Sequence, residues 1–181
     1  MRGYLSLIAA SALLLSGCER FQPPAADTPS RPEFRLNATV KDIMDSFIDP
    51  AADEIWDAVS TTITAKGRIE KYPRTDEEWK ALRRRAIQVM EGANLLLIPG
   101  RRVGRPGEQV DPRIELPPAE IEALIKQDWA GFTRMALELY DSMVPALQAI
   151  EAKDKDRLLD VGDAIDRACE NCHIKYWYAK R

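Results

Sequence analysis

Near the end of the chain, Cys169-Glu170-Asn171-Cys172-His173 gathers two thiols and an imidazole within five residues. On a helix Cys169, Cys172 and His173 fall at i, i+3 and i+4, and therefore on one face. Three chemistries use such a set. Thiol–disulfide exchange uses a Cys-x-x-Cys pair, but at a helix N-terminus in a βαβ setting. Zinc needs a fourth ligand beyond two cysteines and a histidine, and the sequence holds no other histidine and no second Cys-x-x-Cys. Cys-x-x-Cys-His is the pattern of covalent haem attachment. There the thiols add to the two vinyl groups on one edge of the porphyrin, and neutral imidazole binds the iron from below. The third chemistry is the one these residues satisfy.

A second axial ligand cannot be an imidazole of this chain, because His173 is already used. A methionine thioether is the usual alternative. Met44 stands in the apolar stripe of the first helical segment, while Met90, Met135 and Met143 lie on later ones. Each of them could equally be a flexible core filler.

The elements that must position these groups read as helices. Val40, Ile43, Met44, Phe47 and Ile48 make one apolar stripe. Asp49-Pro50 interrupts it, predicting a kinked helix or two abutting ones continued by Ile55, Trp56 and Val59. Thr75 with Glu78 forms a capping box that opens a second helix through Trp79, Leu82, Ala86, Val89, Ala93 and Leu96. A third segment begins after Pro117-Pro118 and runs through Ile121, Ile125, Phe132, Ala136, Leu139, Met143 and Leu147, with Pro145 bending its end. The last carries Leu158, Val161, Ile165, Cys169, Cys172 and Tyr176. No stretch alternates with period two. Four amphipathic segments predict an all-α chain, an antiparallel four-helix bundle over residues 37–181. The long connection between Pro99 and Pro118 carries Arg101, Arg102, Arg105 and Arg113, which read as a solvated basic loop or as contacts to propionates or a partner.

The N-terminus belongs to a different kind of segment. Arg2, an apolar run from Tyr4 to Leu15 and then Leu15-Ser16-Gly17-Cys18 describe a secretory signal over residues 1–17. The run is shorter than the ~20 apolar residues that span a bilayer. Leu-Ser-Gly-Cys resembles the lipobox of bacterial lipoproteins, which implies cleavage before Cys18 and acylation of that cysteine, an anchor of more than one chain. Glu19 after it, by the same resemblance, favours the outer over the inner membrane. Residues 18–36, with Pro23, Pro24, Pro29 and Pro32, suit an extended tether. The implied location is the bacterial periplasm.

The signal, the helices and Ala168-Cys169-Glu170-Asn171-Cys172-His173-Ile174-Lys175-Tyr176 near the C-terminus together resemble the class II c-type cytochromes, the cytochrome c′ and c-556 family. The resemblance covers residues 37–178 by architecture and is specific in the last helix. It implies one covalent haem c inside a four-helix bundle. In low-spin members a methionine of the first helix binds the iron, and Met44 matches that location. High-spin members place an apolar residue there and leave the iron open to small gases, a cover that Ile43, Phe47 and Ile48 could supply. The family often dimerises through its helices. It also commonly carries a basic residue after the Tyr176 position, where this chain has Trp177.

The remaining features bound the function. A net charge of −3 recommends neither nucleic acid nor an anionic surface as partner. Three cysteines are too few for a disulfide scaffold. A peroxidase would want a distal acid–base group, and no histidine remains for it. The expected function is one-electron transfer with envelope redox proteins and no catalytic residues; the alternative is a five-coordinate, NO-binding protein.

Overall fold

The computed structural model describes residues 34–179, and these form a mostly helical domain with one small β-hairpin. Helix α1 (Val40–Ile43) opens on Thr39, whose hydroxyl accepts from Asp42 N–H while Asp42 accepts from Thr39 N–H. A π-helical turn, Met44–Ile48, joins it to α2 (Asp49–Ala58), with Asp49 N–H donating to Met44 C=O. The expected kink at Asp49-Pro50 is thus a change of helical pitch ahead of the proline, which sits in the first turn of α2, where its missing N–H costs nothing.

Strands β1 (Ser60–Thr64) and β2 (Gly67–Lys71) pair antiparallel, with Ser60 opposite Lys71 and Thr64 opposite Gly67. They correct the expectation of an all-α chain. Ser60-Thr61-Thr62-Ile63-Thr64 is rich in β-branched residues, and Gly67 takes φ +119°, which other residues rarely adopt. The ribbon lies in solvent on both faces, so it carries no alternation of apolar and polar residues.

Helix α3 (Asp76–Leu96) starts at the Thr75–Glu78 capping box, and its whole expected seam from Trp79 to Leu96 is buried. The expected third helix is two. Helix α4 (Pro118–Gln127) ends at Asp128, whose carboxylate accepts from Gly131 N–H at 3.0 Å and caps α5 (Trp129–Glu151). The apolar stripe runs through the break, which is why spacing alone does not reveal it. Pro145 lies inside α5, which continues to Glu151. Helix α6 (Lys155–Tyr176) is capped by Asp154.

Cross-links fix how the helices run. Arg85 pairs with Glu54, and Gln88 donates to Phe47 C=O, so α3 lies antiparallel to the π-turn and α2. Arg83–Glu151 and Lys153–Asp76 set α5 against α3. The Phe132–Tyr176 ring contact and the Arg157–Gln148 hydrogen bond set α6 against α5. Between α2 and α6, by contrast, direct packing is sparse. Among the described residues no helix is long and apolar enough to cross a membrane.

The loop after α3 is a strap rather than a solvated excursion. Its Arg102 and Val103 carbonyls accept from Val40 and Lys41 N–H, satisfying the open first turn of α1. Arg101 donates to the Leu95 and Ala38 carbonyls, Arg105 pairs with Asp42, Arg102 with Glu122 and Arg113 with Asp111. All four arginines are engaged within the protein.

Gly92 is where α3 meets the π-turn: a Cβ there would stand 2.5 Å from Ile48 Cγ1, a clash. Gly162 on α6 has room, with nothing nearer than 3.8 Å. Gly92→Ala is therefore expected to lower unfolding stability by about 1–3 kcal/mol, while Gly162→Ala is neutral or stabilising by up to about 1 kcal/mol. Urea denaturation followed by circular dichroism measures both, and equal effects would contradict the close approach.

Candidate functional site

Cys169, Cys172 and His173 lie on α6 as the spacing requires, in its last two turns. Leu158, Ile165, Ala168 and Tyr176 anchor that helix in the core. Both cysteines are free thiols, half-buried and packed against the core. Burial pushes Cys169 up to about 12, with Asp49, Asp166 and Cys172 adding repulsion, and pushes Cys172 up to about 11, with Glu138 adding to it. At neutral pH both are protonated, the reverse of the lowered pKa that activates a thiol–disulfide pair. Among the described residues no three His, Cys, Asp or Glu side chains converge as ligands of a metal ion, so the donors do not form a zinc cluster.

His173 is half-buried beside the rings of Trp177, at 6.2 Å, and Tyr178, at 5.6 Å. Burial lowers its pKa, against a small opposing pull from Glu170, so the imidazole is neutral and its lone pair free. Among the described residues its ring makes no hydrogen bond to the protein.

Met44 begins the π-turn and is buried. Its level relative to His173 follows from three anchors between α1–α2 and α6. The Lys41 ammonium stands 5.8 Å from the centre of the Trp177 ring. The Asp49 carboxylate acts on the Cys169 thiol. Trp56 Cδ1 lies 3.8 Å from where a Cβ on Gly162 would be. Each residue gained along α1–α2 is matched by one lost along α6, so the two run antiparallel in a single register. In that register Met44 stands opposite Ile174, one residue from His173.

The register is held at one end by Glu115. One of its carboxylate oxygens accepts from Lys41 Nζ at 2.8 Å and the other from Trp177 Nε1 at 2.6 Å. Leu116 N–H donates to Trp177 C=O, and Ala179 N–H to Ile114 C=O. The strap thereby ties the first turn of α1 to the end of α6. Asp128 does similar work for α5: besides capping it, its carboxylate accepts from the Tyr176 hydroxyl at 3.1 Å and from the Lys175 ammonium.

The donor set fits a covalent haem. Two free neighbouring thiols and a neutral imidazole share one face of α6, with a buried thioether on the facing element within one residue of the imidazole's level. Cys18, the expected lipid attachment point, lies outside the described residues. Glu115 and Asp128 are the supporting residues that spacing does not single out. Asp128-x-x-Gly131 does carry a signal, a capping aspartate ahead of a helix, but Glu115 acts across more than sixty residues and has none. At Trp177 the Lys41 ammonium from α1 stands over the indole ring.

No protein-family model, curated protein or solved structure matches this chain.

In the chain expressed without haem, the raised thiol pKa values keep the thiolate fraction small at pH 8, and it grows only as pH rises toward 11. Iodoacetamide should therefore alkylate Cys169 and Cys172 at least about tenfold more slowly in the folded than in the urea-unfolded chain. Equal rates, followed by mass spectrometry of the tryptic peptide, would contradict the burial described.

Proposed function

We propose that this chain is a monohaem c-type cytochrome in which α1–α2, α3, α5 and α6 form an antiparallel four-helix bundle and carry out one-electron transfer. Cys169 and Cys172 would hold the haem through thioether bonds, and His173 and Met44 would be the side chains that bind its iron. When bound, the haem supplies an iron that changes oxidation state by one electron without proton or substrate chemistry.

The protein's own residues set the conditions for that exchange. The apolar core around Met44 and Ile48 keeps water from the site and makes reorganisation small. The neutral His173 is presented without prior deprotonation. The Glu115 clamp ties the helix that bears His173 to the element that bears Met44, and would hold both side chains in place for the group. The observation that carries the reading is that Met44 falls within one residue of His173 across antiparallel elements, beside two free thiols on the same face of α6.

The cell-envelope setting belongs to the same proposal. Acylated Cys18 anchors the domain to the outer membrane through residues 18–36 and raises its effective concentration toward envelope redox proteins. A second copy of the chain is a further candidate partner.

Optical spectra of the exported protein test the assignment. The ferric wild type is expected to be low-spin with the weak far-red band of methionine on haem iron, and Met44→Ala is expected to abolish that band and produce a high-spin spectrum. A wild type that is already high-spin and binds NO or CO readily would overturn the electron-carrier reading in favour of an open iron site.

A further inference from the structure

Between Asp42 and Val59 the chain holds six carboxylates and no lysine or arginine. Asp42 pairs with Arg105 and Glu54 with Arg85. Asp45, Asp49, Asp53 and Asp57, spaced four residues apart and exposed, have no ion pair among the described residues. Across from them on α6, Asp163 and Asp166 are exposed and equally unpaired, and Glu170 accepts only the Tyr178 hydroxyl. The nearest cation on α6, Arg167, points roughly 140° around the helix from Gly162, the residue that faces Trp56. Elsewhere on the domain many acids are paired with bases. This face gathers unpaired ones, and partial burial, with repulsion from Asp45 and Asp53, raises the pKa of Asp49.

The same face is not a plain acidic surface. Between α2 and α6 lies a groove of about 350 Å³ floored by Ile55, Trp56, Val59, Leu158 and Ile165, with Asp163 and Asp166 on its rim and Asp53 and Asp57 flanking Trp56 in sequence. It ends one turn from Cys169. The carboxylates follow two helices instead of converging on a point, and no three of the acids form an ion site. An extended acidic rim around an apolar floor matches a protein surface that presents lysine or arginine around an apolar centre.

We propose that the α2–α6 groove is the docking surface for a basic redox protein, which exchanges electrons with this chain at the Cys169 edge. The electron exchange at the Cys169 edge rests on the haem reading; the surface and the charge of its partner do not. The unmatched carboxylates supply long-range attraction and fast, salt-sensitive encounter, and the apolar floor supplies the seat.

The test uses the holoprotein and a fluorescein-labelled amphipathic helical peptide of lysine and leucine, with a glutamate–leucine peptide as its opposite. A groove variant carries Asp53→Asn, Asp57→Asn, Asp163→Asn and Asp166→Asn. A control variant carries the same charge change elsewhere, as Glu77→Gln, Glu91→Gln, Glu120→Gln and Asp141→Asn. Far-UV circular dichroism confirms that both are folded. The lysine peptide is expected to bind wild type and control alike, and the groove variant at least about tenfold more weakly, while the glutamate peptide binds none. Equal binding by groove and control variants would overturn the surface, as would capture of the glutamate peptide. Oxidation of the reduced protein by hexaammineruthenium(III) should slow with ionic strength in wild type and control, and much less so in the groove variant. Equal salt slopes in both variants would overturn the electron route at this face. A haemochrome assay on the same preparation reports the haem reading separately, and the peptide titration stands whichever way that assay falls.

Discussion

Everything at the site depends on the register between α1–α2 and α6, two elements that scarcely touch along much of their length. Close-packed helices hold their register through interdigitated side chains; here the fixing is done at the ends and from outside. Glu115, from the strap, bridges Lys41 and Trp177, and the strap carbonyls of Arg102 and Val103 close the first turn of α1. The π-turn then adds local relief where α3 presses closest, at Gly92 against Ile48. The clamp at the strap thus ties the methionine-bearing and histidine-bearing elements together at one end, while α2 and α6 pack sparsely beyond it.

The rest of the fold serves as the rigid counterpart. The α3–α5 and α5–α6 contacts bury the long seams from Trp79 to Leu96 and from Phe132 to Ile150. Most of the ion pairs that cross between helices are exposed, and such pairs contribute little individually. They matter more as markers of where charge is balanced, and they make the unbalanced face of α2 and α6 stand out. Placing like charges four residues apart on a helix is mildly destabilising, so that face is a cost the buried seams of α3, α5 and α6 must offset.

Much of this was legible in the residues. The spacing of Cys169, Cys172 and His173 put them on one face of α6, and periodicity located most buried positions of the helices, Met44 included, while passing over Ala51, Ala52, Ala146, Ala149 and Ile150. Thr75 and Glu78 marked the start of α3 by their type and spacing. What escaped has physical causes. The Ser60–Lys71 ribbon buries neither face, so hydrophobic alternation, the signal for a strand, was never imposed on it. The break at Asp128 leaves the apolar stripe intact, because α4 and α5 both pack on the same core. The π-turn changes pitch without changing composition. The strap's arginines looked solvated because their partners, Ala38, Asp42 and Glu122, lie far away in sequence.

The central claim is that Cys169 and Cys172 carry a covalent haem. Intact-mass spectrometry of the exported protein under denaturing conditions, beside the Cys169→Ala/Cys172→Ala double variant, tests it most directly. The account predicts that wild type retains the mass of one haem after denaturation and that the double variant loses all of it. A wild-type mass equal to that of the polypeptide alone, from cells that mature other c-type haem proteins, would contradict it.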